Sequence, residues 1–253
     1  MVRIGLLGCG NIGKLIAAKS GSCCEIVAAY DRHDDRRKAI AEGTGAIACE
    51  NFSEMFKLDF DVLVEAASIS GAQAYAKDAL SSGKDLVLLS VGALADPTFR
   101  VGLLKAAEEG DALLRIPSGA IMGLDNLKIG SISKLRRLLL RTTKPASVLG
   151  CDVAEKQCVY RGPTAEAIKR YPRNINVAVS IALAAETEVE VEIWADPAAD
   201  SNTHEIFAEG EFGHALMRVE NIPCPDNPHT SYLAVLSVLA LLQNYNKRLR
   251  VGT

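Results

Sequence analysis

The stretch Gly8-Cys9-Gly10-Asn11-Ile12-Gly13 constrains what this chain can fold into more than any other. It follows an apolar, strand-like run, Val2-Arg3-Ile4-Gly5-Leu6-Leu7, and opens a helix-like stretch with Ile12, Leu15 and Ile16 on one face. Glycines at this spacing between strand and helix permit a tight turn, close approach of the backbone to a ligand, and close packing of helix on strand. The unpaired N–H groups and positive dipole end of such a helix favour a pyrophosphate.

Glycines also punctuate ordinary loops, so the motif needs its context. A second apolar strand, Glu25-Ile26-Val27-Ala28-Ala29-Tyr30, ends at Asp31, roughly 20 residues past the glycines, where a carboxylate receives the ribose hydroxyls of a bound dinucleotide. With no ligand, the same residues would make a plain βα turn and Asp31 a helix cap. Asp31 favours NAD by repelling a 2′-phosphate, whereas Arg32, Arg36 and Arg37 offer NADP a counter-charge. NAD is the first expectation and NADP the second.

At 253 residues the chain can bury a large core and hold one large or two small domains. A net charge of −3 gives no electrostatic footprint for nucleic acid. No apolar run reaches the ~20 residues of a membrane helix, and the chain enters its first strand with no signal peptide, so a cytoplasmic protein is expected. Seven cysteines, an odd number with no C-x-x-C pair, point to reduced thiols rather than a disulfide framework or a zinc site. No metal is expected.

Up to about residue 117 strand and helix patterns alternate. Val62-Leu63-Val64-Glu65-Ala66 and Leu86-Val87-Leu88-Leu89 are continuous apolar strands of the kind buried in a parallel sheet. The pattern predicts a helix from about Ser70 to Ser82 stopped by Gly83, and Asp96-Pro97 as N-cap and first residue of another. These features predict an α/β fold whose N-terminal domain, residues 1–117, is a Rossmann-type doubly wound parallel sheet with its ligand at the strands' carboxyl ends.

Residues 118–228 read as a second, smaller α+β domain with a mixed or antiparallel sheet. Its strands are expected at Leu135–Thr143, Glu155–Arg161, Thr187–Trp194, Thr203–Glu209 and His214–Glu220, and its helices at Thr164–Arg170 and from Asn174 to about Ala185. Val189, Val191 and Ile193 alternate with Glu188, Glu190 and Glu192, as in an antiparallel sheet with one covered face. Residues 229–253 should form a last helix, about Ser231 to Lys247, returning to the first domain.

A dinucleotide-dependent redox enzyme needs a proton acceptor near the reacting carbon, and histidine suits the role. There are four. His33 follows Asp31; His214 and His229 flank secondary structure; His204 shares a strand face with Ile206 and Ala208, where a structural core role competes with a catalytic one. The loops Leu89–Leu94, Ser118–Asp125 and Tyr171–Asn176 have the texture of ligand-facing segments, with turn and cap chemistry as their simpler explanation.

Taken in order, these segments resemble the L-aspartate dehydrogenase family. The resemblance rests on Ser118-Gly119-Ala120-Ile121 with Gly123-Leu124-Asp125, Asn174-Ile175-Asn176-Val177-Ala178, Asn202-Thr203-His204-Glu205-Ile206, Gly210-Glu211-Phe212-Gly213 and Asn227-Pro228-His229-Thr230-Ser231-Tyr232-Leu233. Glu65-Ala66-Ala67-Ser68 and Leu89-Ser90-Val91-Gly92-Ala93 extend it over essentially the whole chain. It implies NAD(P)-dependent oxidation of L-aspartate to iminoaspartate, a precursor for NAD biosynthesis, or the reverse reductive amination. It also implies a catalytic role for His204 and cofactor contacts from Ala120 and Asn176.

The expected cofactor set adds Gly8, Gly10, Asn11, Ile12, Gly13, Asp31 and Arg32 at the adenosine and pyrophosphate end. Ala67, Ser90, Val91 and Gly92 join it at the strand ends nearer the nicotinamide. A substrate with two carboxylates needs cations and hydrogen-bond donors, for which Lys144 and Thr143 are the first choice, followed by Arg173, Asn174, Thr230 and Ser231. The competing functions are another two-domain reductase, related to dihydrodipicolinate reductase or homoserine dehydrogenase, and a non-catalytic NAD-sensing regulator. A homodimer is expected, with the second domain's sheet as the interface.

Overall fold

The computed structural model describes residues 1–171, 175–224 and 227–252 and divides into two compact units. The first is Met1–Pro117 with Val235–Val251; the second is built from Ser118–Ala234.

The first unit is a six-stranded parallel sheet. In chain order its elements are β1 (Val2–Leu7), α1 (Asn11–Lys19), β2 (Cys24–Tyr30), α2 (Asp34–Thr44), β3 (Ile47–Ala48) and a single-turn α3 (Phe52–Met55). There follow β4 (Val62–Glu65), α4 (Ile69–Ser81), β5 (Asp85–Leu88), α5 (Pro97–Glu109) and β6 (Leu114–Arg115). The strand order is β3-β2-β1-β4-β5-β6, every pairing parallel, so the topology reverses direction between β1 and β4. In an open α/β sheet that switch point, at the carboxyl ends of the strands, is where a ligand binds.

Local signals set the element ends. The expected Ser70–Ser82 helix begins a residue earlier because the Ser68 hydroxyl accepts the Gly71 N–H at 3.1 Å. It stops where Gly83 adopts φ +77° and the Gly83 and Lys84 N–H groups turn back onto the carbonyls of Leu80 and Ala79 at 3.0 and 3.1 Å. Asp96 Oδ1 caps α5 through the Thr98 and Phe99 N–H groups at 2.8 and 3.3 Å, with Pro97 as its first residue.

The second unit holds α6 (Leu124–Leu127), β7 (Leu135–Pro145), α7 (Ala146–Leu149), β8 (Gln157–Pro163), α8 (Thr164–Arg170) and α9 (Ile175–Ala185). These lead into β9 (Glu190–Asp196), β10 (Thr203–Gly210), β11 (Gly213–Glu220), β12 (Pro223–Cys224) and β13 (Asn227–Ser231), then α10 (Tyr232–Asn244), most of which clusters with the first unit. The main sheet runs β11-β10-β7-β9-β8. Leu138, Leu140, Val191, Ile193, Ile206 and Ala208 point to one face, which Ala178, Ile181 and Ala185 of α9 cover. The spacing of those three α9 residues is that of one helix stripe.

The sheet is mixed, as expected, but the antiparallel setting read from the Val189–Ile193 alternation holds on one side of β9 only, since β9 pairs parallel with β7 and antiparallel with β8. The glutamate side of β9 is not uniformly solvated either: Glu192 is buried, accepting hydrogen bonds from Arg141 Nε at 2.7 Å, Arg161 Nη2 at 2.5 Å and Trp194 Nε1 at 2.9 Å. Thr230 and Ser231 close strand β13 directly before Tyr232, the first residue of α10, and so stand at that helix's N-terminus as expected.

Candidate active site

The glycine loop packs as its three positions require. Gly8 has φ +98°, and a Cβ there would lie 2.7 Å from the Ala66 carbonyl, so only glycine lets the loop after β4 lean on it. A Cβ on Gly13 would sit 2.1 Å from the Gly8 carbonyl oxygen. At Gly10 the corresponding position has no atom within 4 Å from any described residue beyond its chain neighbours, leaving open space over the first turn of α1, whose N-cap makes no side-chain hydrogen bond. Backbone N–H groups facing open space at a helix N-terminus fit a pyrophosphate.

Beside the loop lies a groove of about 300 Å³ whose lining includes Gly8, Gly10, Asp31, Arg32, Arg36 and Ala67. Asp31 is buried, its two oxygens accepting the Cys9 and His33 N–H groups at 2.8 and 2.9 Å. A carboxylate has about four acceptor positions, so room remains for ribose hydroxyls. Arg37 is committed to the Asp31 carbonyl at 3.1 Å and the Asp34 carboxylate at 2.8 Å. That leaves Arg32 and Arg36 as the cations in the groove wall. Burial, and next the Asp31 carboxylate, push the Cys9 thiol up to about 12, so it is no nucleophile. The described cysteines form no disulfide.

Asn11 is exposed and Ile12 half-buried at the start of α1. Ser90 follows β5, and Val91 and Gly92 are buried in the 3₁₀ turn beyond it.

In the second unit, β7 and β10 are antiparallel neighbours with Thr142 directly opposite His204. His204 Nδ1 and the Thr142 hydroxyl are 3.0 Å apart, and both residues are buried. Lys144 lies two residues along β7 and therefore on the same face. It is 9% exposed, and among the described residues no carboxylate pairs with it. Burial draws its pKa down to about 8; burial and then the Lys144 charge draw that of His204 down to about 3. The face thus presents a neutral imidazole beside a desolvated ammonium, a proton acceptor next to an anion receptor.

Thr143, expected to bind substrate, alternates to the opposite face, where its hydroxyl is buried with no partner among the described residues; Thr142 shares the face of Lys144 and His204. The Ala120 carbonyl accepts the Asn221 side-chain N–H at 3.1 Å, and Ser231 donates its hydroxyl to the same asparagine. Asn176 is exposed on α9. Arg173 and Asn174 lie outside the described residues.

Three side chains that the fold brings into these contacts carried no assigned role in the sequence. Thr142 was legible from period-two alternation with Lys144. Glu65 stood as a lone acid closing an apolar strand. Asn221 carried no local signal, since only the tertiary fold brings it to Ala120 and Ser231.

A doubly wound dinucleotide-type sheet followed by a mixed-sheet unit with a buried histidine defines a class, the two-unit dinucleotide-binding oxidoreductases. Residues 8–117 match the family model described as homoserine dehydrogenase, NAD binding domain, and residues 125–245 that described as aspartate dehydrogenase, C-terminal. An L-aspartate dehydrogenase of Methanospirillum hungatei is 50% identical, and one of Methanothermobacter thermautotrophicus 39%; the matches cover all of this chain and 100% and 99% of those proteins. The crystal structure of aspartate dehydrogenase from Thermotoga maritima is similar with a TM-score of 0.85 and 31% identity, over the full length of both chains. The chain belongs to the L-aspartate dehydrogenase family.

Proposed function

We propose that this protein oxidises L-aspartate to iminoaspartate with NAD, or NADP, and also runs the reverse reductive amination. Water converts the imine to oxaloacetate and ammonia. The observation that carries the reading is the neutral, buried His204 beside the buried ammonium of Lys144, which no carboxylate among the described residues pairs, in a chain half identical to an L-aspartate dehydrogenase.

When bound, the nicotinamide supplies the acceptor for the hydride that leaves Cα. The remaining work falls to the protein. Lys144 holds a substrate carboxylate as a point charge. With Nδ1–H donating to the Thr142 hydroxyl, His204 Nε2 carries the lone pair that takes the proton released as the C–N bond becomes C=N. A bound dicarboxylate raises the imidazole's pKa toward its ordinary value, improving it as a base where the reaction needs one. His204 can return that proton when the imine is reduced.

The open space over Gly10 and the spare acceptor positions of Asp31 support the dinucleotide, with Asp31 favouring NAD and Arg32 and Arg36 accommodating a 2′-phosphate. The protein is further proposed to be a cytoplasmic homodimer that supplies iminoaspartate for NAD biosynthesis. Support for the dimer comes from the outer face of the second unit's sheet, where Leu216 is 57% exposed. No helix among the described residues is long and apolar enough to cross a membrane. The activity is tested by offering NAD with a panel of amino acids, L-homoserine included, and following NADH. Formation with L-aspartate alone is expected; no signal with L-aspartate in either direction overturns the reading.

A further inference from the structure

Glu65 closes β4 at the switch point and is fully buried, yet among the described residues no cation pairs with it. Its carboxylate is filled by donors from two loops. Oε1 accepts the N–H groups of Ala67 at 2.9 Å and Ser68 at 3.0 Å and the Ser90 hydroxyl at 2.9 Å. Oε2 accepts the Ser90 N–H at 2.9 Å. All four partners donate, so the site is built for an acceptor-only, ionised carboxylate. Burial raises its pKa, and these hydrogen bonds oppose the rise.

The two loops follow neighbouring parallel strands, β4 and β5, on the side of the switch point away from Asp31. The first leans on Gly8, and its Ala66, Ala67 and Ser68 line the same groove as Asp31 and Arg32, which the second does not reach. Asp31 ties the glycine loop to the adenosine side through Cys9 and His33. Glu65 is its counterpart on the other side. We propose that Glu65 is a positioning residue of the dinucleotide site, tying the loop at 66–68, in the wall of the Asp31 groove, to the loop at 90–92 as one unit. The inference rests on the cofactor reading above.

Glu65→Gln is nearly isosteric, but whichever way the amide lies its NH₂ faces at least one donor, so one loop must shift. Affinities for NADH and ADP-ribose are measured by calorimetry, with the emission of bound NADH reporting the nicotinamide environment. NADH should weaken about five- to tenfold and its emission move toward that of free NADH, while ADP-ribose, which meets the loop at 66–68 but not that at 90–92, weakens less. Parent-like NADH affinity and emission overturn the proposal, and so does an equal loss of both ligands, which marks a general structural defect. A parent protein that binds neither ligand overturns the cofactor reading itself, and this inference with it. Should Glu65→Gln not fold, Ser90→Ala reads the same ratio: a change of about two- to threefold against NADH is expected, and an unchanged ratio overturns the proposal.

Discussion

At the scale of single residues, the chemistry of the second unit follows from burial of two basic groups on one sheet face. Lys144 has a pKa of about 8, so its ammonium, and the carboxylate affinity it confers, should be lost as pH rises through that value. Succinate is a four-carbon dicarboxylate that does not itself titrate there. Its inhibition constant against aspartate should rise above about pH 8 in the parent and be weaker but pH-independent in Lys144→Gln. An identical pH profile in both proteins places the carboxylate elsewhere. His204 bears on stability at acid pH. Its folded pKa of about 3 lies below the ordinary 6.5, so between these values the unfolded chain binds more protons and stability falls as pH falls. A thermal melt series from about pH 7 to pH 4 should slope less steeply for His204→Gln than for the parent.

At the scale of elements, β9 shows what alternation reveals and what it hides. Val191 and Ile193 face the core as their spacing predicts. Glu192 shares the other face with glutamates that stay solvated, yet it is buried. Strand β7 runs parallel beside it and brings Arg141 across, with the guanidinium 5.4 Å from the Trp194 ring and 5.1 Å from that of Phe207. Burial pushes the Glu192 carboxyl up, but hydrogen bonds from Arg141, Trp194 and Arg161 outweigh it and hold the group below its ordinary range. Glu192→Ala should cost about 2–3 kcal/mol in chemical denaturation, less than the ~3–5 of a wholly buried pair because the Arg141 side chain keeps 30% exposure. Arg161→Ala, at 61% exposure, should cost much less than Glu192→Ala. Equal losses would mean that Arg161, not Arg141, anchors the carboxylate.

Period-two patterning, caps and glycine stops are local, which is why α5, with its Asp96-Pro97 start, and α8 could be read residue by residue. Strand neighbours are not local. Neither the parallel pairing of β7 with β9 nor the small β12–β13 ladder leaves a mark in the sequence. The same limit hid Asn221, which reaches Ala120 across 101 residues of chain.

At the scale of the whole molecule, the two units divide the chemistry. The first is generic: a switch point, three glycines, a buried Asp31 and a buried Glu65 build a dinucleotide cradle that would serve many reactions. The second is particular, because a neutral imidazole beside a desolvated ammonium suits a substrate that carries carboxylates and must lose a proton. That division predicts separable defects. Changes around Gly8 and Asp31 should weaken dinucleotide binding for any substrate, whereas changes at His204 should leave it intact. The most direct test is to compare His204→Ala with the parent for NADH affinity and for turnover of L-aspartate with NAD. Turnover should fall by about 10²–10⁴-fold, the usual contribution of a general base, with NADH binding unchanged. Near-parental turnover in a variant that binds NADH normally would contradict the assignment of His204 and with it the account of the second unit.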